Sequence, residues 1–133
     1  MSVDTLTLKI RITVLWIFLA VSISAHSILW FMEPGAIQQI MTGVVEGMPI
    51  GPEMLLFMAI FWWVPLVMAF LSVTLKNSYN RWGNLILGVV FTGLNIFHLI
   101  EHLMKPSAAQ LLIIGSTVVA AILIVWYAWK LPK

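Results

Sequence analysis

The sequence predicts an all-α polytopic membrane protein, with four transmembrane helices in one bundle, both termini cytoplasmic, and residues 1–133 forming a single domain. Three observations carry this expectation. Apolar residues make up 62% of the chain and charged residues only 9%, against about half and about a quarter in a soluble domain, and the mean hydropathy is +1.04. Four apolar stretches, Ile12 to Met32, Met54 to Leu75, Leu85 to Met104 and Leu111 to Trp129, are each long enough to cross a hydrocarbon core of about 30 Å at about 1.5 Å per residue. The basic residues fall almost entirely on one side of those four spans. A chain this short cannot hide so much apolar surface in its own interior, so the lipid bilayer is its first partner and the cell membrane its location.

The first span follows Lys9 and Arg11. Its rival reading is a cleaved signal peptide, with Ser22 to Ala25 as the small-residue cleavage region; the apolar run continues through Trp30 to Met32, which favours a full span. The link from Glu33 to Glu53 holds two Pro/Gly pairs and three Glu. Within it, Ala36 to Val45 is expected to form a short interfacial helix, because Ile37, Ile40, Met41 and Val44 share a face. In the second span Pro65 removes one backbone hydrogen bond and predicts a kink. Trp62 and Trp63 just before it are read as packing residues, with the wall of a ligand pocket as the alternative. Lys76 to Asn84 reads as a tight turn, and a short link favours antiparallel neighbours. Trp16, Trp82, Trp126, Tyr127 and Trp129 are expected near the cytoplasmic interface and Trp30 near the outer one, where amphipathic rings prefer to sit.

Orientation follows from the positive-inside tendency. Threading four helices puts Lys9, Arg11, Lys76, Arg81, Lys130 and Lys133 on one side with Asp4, and leaves Lys105 on the other with Glu33, Glu46, Glu53 and Glu101.

Composition also excludes. With no cysteine there is no disulfide, thiolate metal site or iron–sulfur ligation. Seven Lys and Arg, scattered as they are, make no nucleic-acid surface. No glycine-rich phosphate loop or Ser/His/Asp order is present, and the first span lacks the mid-membrane Glu on which small four-helix multidrug transporters rely. Ala20 with Ser24 and Ser116 with Ala120 permit close helix contacts, within one chain, in a homo-oligomer or in a larger membrane complex.

Ionisable residues inside spans are costly and mark functional sites. His26 lies eight residues before Pro34 and His98 eight before Pro106, and both helices run outward, so the two imidazoles are expected at similar depth in the outer half of the bilayer. Helical spacing groups Ser22, His26, Trp30 and Glu33 on one stripe, and Gly88, Thr92, Asn95, His98, Glu101, His102 and Lys105 on another. Facing each other, the two stripes make an outward-opening polar pocket of three His and two Glu; the alternative is that they only fix helix register.

Within that pocket His26, His98, Asn95 and Trp30 are the candidate ligand- or cofactor-binding residues, for an apolar or cofactor ligand. His98 and His102, one turn apart, with His26, are the candidate divalent-metal ligands, Glu33 or Glu101 completing the shell. Haem held by His26 and His98 ranks below a metal ion. The run His98 to His102 also fits the H-x-x-E-H spacing of certain zinc proteases, a short motif of low specificity. Met54 and Met58 are better read as apolar packing than as copper ligands. As an enzyme, the alternative reading, the protein would use Glu33 or Glu101 as acid or base on a lipidic or isoprenoid substrate; a structural subunit is the third reading. Because an unperturbed imidazole titrates near about pH 6.5, occupancy of the pocket is expected to change between about pH 5 and 8.

Several segments, "LWIF" (Leu15 to Phe18), "MEP" (Met32 to Pro34), "VPLVMAFLS" (Val64 to Ser72), "NRWGN" (Asn80 to Asn84) and "IVWYAWK" (Ile124 to Lys130), together resemble a family of small bacterial and archaeal four-helix membrane proteins of unknown function and DoxX-like appearance. The resemblance implies four helices in one bundle and no particular reaction. Glu33 with Pro34 and Asn80 with Arg81 match its positions; the three histidines are not part of its pattern.

Overall fold

The computed structural model describes residues 2–133. Four long helices are joined by one elaborate and two tight connections: α1 (Val3–Phe31), α2 (Ala36–Thr42), the two-residue strands β1 (Val44–Val45) and β2 (Met48–Pro49), α3 (Pro52–Thr74), α4 (Asn77–Met104) and α5 (Ala108–Lys130). α1, α3, α4 and α5 are each long and apolar enough to cross a membrane. They outrun the apolar stretches because helical hydrogen bonding does not stop where apolarity does. α1 begins nine residues before Ile12, its first turn capped by the Ser2 hydroxyl, which accepts from the Thr5 amide at 3.2 Å. α3 continues without a break across Pro65 and starts on Pro52, whose missing N–H is no loss in a first turn.

The expected short helix is present as α2, but it stops at Gly43. The chain then turns back as a small antiparallel hairpin pairing Val44 with Pro49 and Val45 with Met48. Glu46 and Gly47 both take positive φ at its tip, 50° and 80°, the geometry whose twist suits a two-residue hairpin turn.

α5 packs along both α1 and α4, α1 also packs along α3, and α3 barely touches α4. The shared interior is built from Ile12, Trp16 and Leu19 of α1, Met68 and Ala69 of α3, Leu85 and Phe91 of α4, and Ala120, Ala121, Ile124 and Ala128 of α5. Most of the remaining apolar surface points outward: Val21, Trp63, Phe70, Leu112 and many others are exposed. In water that would be an aggregating surface; in a bilayer it is the lipid-facing one.

The interior contradicts three expectations. Trp16 is not interfacial but fully buried: its indole N–H donates to Asn84 Oδ1 at 2.6 Å and its ring meets Phe91 edge-on. Asn84 in turn donates to Asn80 Oδ1 and accepts from the Ser72 hydroxyl, while Asn80 donates to the Ser72 carbonyl. Amides in a membrane interior must be satisfied by protein, and this network ties α1, α3 and α4 together. Trp62 and Trp63 pack little, being 36% and 62% exposed, since their positions on α3 face away from α1. The long polar stripe of α4 turns mainly toward α5 rather than α1. Gly88 lies where a Cβ would come within 2.9 Å of Val125 Cγ2, and Asn95 Oδ1 accepts from the Thr117 hydroxyl at 2.8 Å.

The basic residues other than Lys105 gather at one end. Lys9 Nζ donates to the Leu75 carbonyl at the end of α3, and Arg81 Nη1 donates to the Leu131 carbonyl after α5, so the start of α1, the end of α3, the start of α4 and the end of α5 share that end. The histidines lie at the other.

Candidate metal centre

Three of the four long helices bring a nitrogen or oxygen donor to this end. His26 sits five residues before the end of α1, His98 and His102 lie one turn apart on the last two turns of α4, and Gln110 is in the first turn of α5. Because α5 packs on both α1 and α4, it brings Gln110 against the histidine of α1, and the shared groove brings α1 and α4 close enough for their imidazoles to touch. The equal depth inferred from the two prolines is realised as contact: Nε2 of His26 and Nε2 of His98 are 2.9 Å apart.

The third imidazole closes a triangle. Ring centroids are separated by 4.8 Å for His26 and His98, 5.1 Å for His26 and His102, and 4.7 Å for His98 and His102, each pair edge to face. One ring nitrogen from each histidine falls within 4.8 Å of the other two. An ion held by three imidazoles at about 2.0–2.1 Å keeps their nitrogens roughly 3.3 Å apart, a spacing between the 2.9 Å of His26 and His98 and the 4.8 Å that bounds all three. A porphyrin needs its two axial imidazoles on opposite faces of a macrocycle; the direct contact of His26 with His98 leaves no place for one.

Gln110 decides which nitrogen of His26 faces the cluster. Its side chain is fully buried; its Oε1 is 2.5 Å from His26 Nδ1, and its Nε2 donates to the His26 carbonyl at 3.4 Å. The second bond assigns the amide, since only the nitrogen can donate to a carbonyl. Oε1 therefore accepts from Nδ1–H, and the neutral ring presents the lone pair of Nε2 toward His98. An outer partner of this kind, fixing tautomer and ring angle, is a regular companion of metal-bound histidine. No motif announced Gln110. The available signal was a lone amide in an apolar span, which must find a partner within the bundle.

Glu101 Oε2 lies 3.5 Å from His98 Nδ1, on the side of that ring away from the contact with His26. Its carboxylate is more than half exposed, so it rims the cluster. Glu33 forms the turn after α1, where its N–H donates to the Trp30 carbonyl, and Glu46 stands at the tip of the hairpin. Two predicted site residues have partners other than the imidazoles. Asn95 is spent on Thr117 and on the Phe91 carbonyl, and Trp30 packs its ring against Phe31. The three rings are half-buried, sheltered by the bundle and still open at its end.

A family model described as a family of unknown function (DUF6326) matches residues 6–132; the DoxX-like likeness is no part of that match. Comparison with curated proteins and with solved structures found no match.

Proposed function

The chain belongs to this family of unknown function, DUF6326, and we propose that it is a small integral membrane protein whose three-histidine cluster binds a divalent transition-metal ion, acting as a binding module or as an accessory subunit of a larger membrane complex. The observation that carries the reading is the convergence of His26, His98 and His102, from two helices, with one ring nitrogen each inside 4.8 Å. Imidazole donors suit zinc, copper, nickel and iron and leave magnesium and calcium, which want oxygen, without a site. Gln110 supports the reading as the outer partner of His26. Three protein ligands leave a fourth position for water or a further ligand, on the side where the bundle is open. The one-sided distribution of Lys and Arg supports cytoplasmic termini in the cell membrane, and in that orientation the opening faces outward.

The test is direct. Protein stripped with chelator and titrated with zinc should take up one equivalent. His26→Ala and His98→Ala should each weaken binding by more than the roughly 10- to 100-fold that loss of an outer-shell partner costs. Wild-type protein that binds no zinc, copper, nickel or iron, or variants that bind as tightly as wild type, would overturn the proposal.

The Glu101–His98 pair favours one second reading: an acid–base couple at the membrane rim acting on a lipidic substrate. It requires turnover of a component of lipid extracts that Glu101→Gln abolishes while zinc binding persists.

A further inference from the structure

At the end opposite the histidines, three cations from three helices lie on the aromatic rings of the last turns of α5. Arg11 of α1 sits over Tyr127, 5.4 Å from the ring centroid; Arg81 of α4 sits over Trp129 at 5.1 Å; Lys130 sits over Trp126 at 4.6 Å. Such contacts fix a cation's position by attraction to the ring face without neutralising its charge. No carboxylate does so either: among the described residues the single charged pair within bonding distance is His98 with Glu101, at the far end. Among the described residues Asp4, in the first turn of α1, is the one acidic side chain at this end.

These cations are therefore left without an acidic side chain as partner, and their level in the membrane is marked. Trp126 and Trp129 are 56% and 63% exposed, and exposed indoles of a membrane protein lie at the headgroup layer. The anion abundant there is the phosphate of a lipid, which guanidinium groups match in shape and donors. We propose that the ring-mounted cations Arg11, Arg81 and Lys130 form a basic surface around the end of α5 that holds the headgroup phosphate of an anionic glycerophospholipid. Its acyl chains would run along the outward apolar faces of α4 and α5, where Ile86, Val119 and Ile122 are exposed. Lys76 and Lys133 belong to the same end and lie on no ring, so they separate a built site from a merely positive surface.

The experiment reconstitutes the full chain with equal amounts of phosphatidylglycerol and phosphatidylcholine and reads retained lipid by native mass spectrometry. Wild-type protein should retain the anionic lipid about fivefold or more over the zwitterionic one. The triple variant Arg11→Gln, Arg81→Gln, Lys130→Gln should lose that preference, and the double variant Lys76→Gln, Lys133→Gln should keep it. Should the triple variant fail to fold, Arg11→Gln and Lys130→Gln, both at exposed positions, each read a partial loss on their own. Equal loss in the double variant would overturn the site in favour of net charge. Displacement of the lipid by millimolar inorganic phosphate, which also binds alone, would overturn the lipid in favour of a free phosphate ion.

Discussion

His26 and His98 meet nitrogen to nitrogen, Nε2 against Nε2 at 2.9 Å. A contact that short between two imidazole nitrogens holds one proton, not two, so it exists only while at least one ring is neutral. The same lone pairs are what a metal ion needs. Around the pair, the uncharged Gln110 of α5 holds His26 Nδ1, and the third imidazole, His102 of α4, stands edge to face with both rings. Glu101 on α4 faces His98.

Acidification should therefore empty the site. An imidazole unperturbed by its surroundings takes up its proton around about pH 6.5, and protonation competes with metal for each nitrogen. Occupancy should be high above that range and fall as pH drops through it, as measured by zinc retained after equilibrium dialysis between about pH 5 and 8. A flat profile would mean that the histidines hold helices and not an ion.

Replacing Gln110 should separate positioning from packing. Gln110→Leu fills similar space and removes the acceptor for His26 Nδ1–H, and should lower zinc affinity about 10- to 100-fold. Gln110→Glu keeps an acceptor and should bind at least as well as wild type. Nitrogen NMR of the metal-free protein should find His26 protonated at Nδ1 in wild type and in a mixture of tautomers in Gln110→Leu.

The buried amide network should carry stability without touching the metal. Asn84→Leu strands the Trp16 indole N–H, which has no other acceptor, and should cost about 1–3 kcal/mol. Thermal unfolding in detergent measures the loss; zinc affinity should be unchanged.

Gly88→Ala should loosen α4 from α5. The added methyl would meet Val125 Cγ2 at 2.9 Å and Ile124 Cγ2 at 3.2 Å, both on β-branched side chains with little rotamer freedom, so the backbones must part. About 1–3 kcal/mol of destabilisation is expected, read in the same unfolding assay. Because Asn95 and Thr117 lie further along the same seam, the slow amide exchange of α5 near Thr117 should quicken as well.

The four helices and the company of the three histidines were legible in the chain itself. Helix formation and lipid exposure depend on local apolar content over about twenty residues, which composition reports directly. The eight-residue spacing of His26 and His98 from their prolines places both at one depth because rise per residue is constant. What the sequence could not decide was rotation. Hydrophobic helices have no polar face to betray which side turns inward, so Trp16 looked interfacial and is buried, Trp62 and Trp63 looked packed and face outward, and the stripe of α4 turned toward α5. Those outcomes rest on interhelical packing, on Gly88 admitting α5 and on Asn84 claiming Trp16, and no single segment contains them. Gln110 shows the same limit at the site. Its role exists only because α5 wedges between α1 and α4, 84 residues along the chain from the histidine it holds.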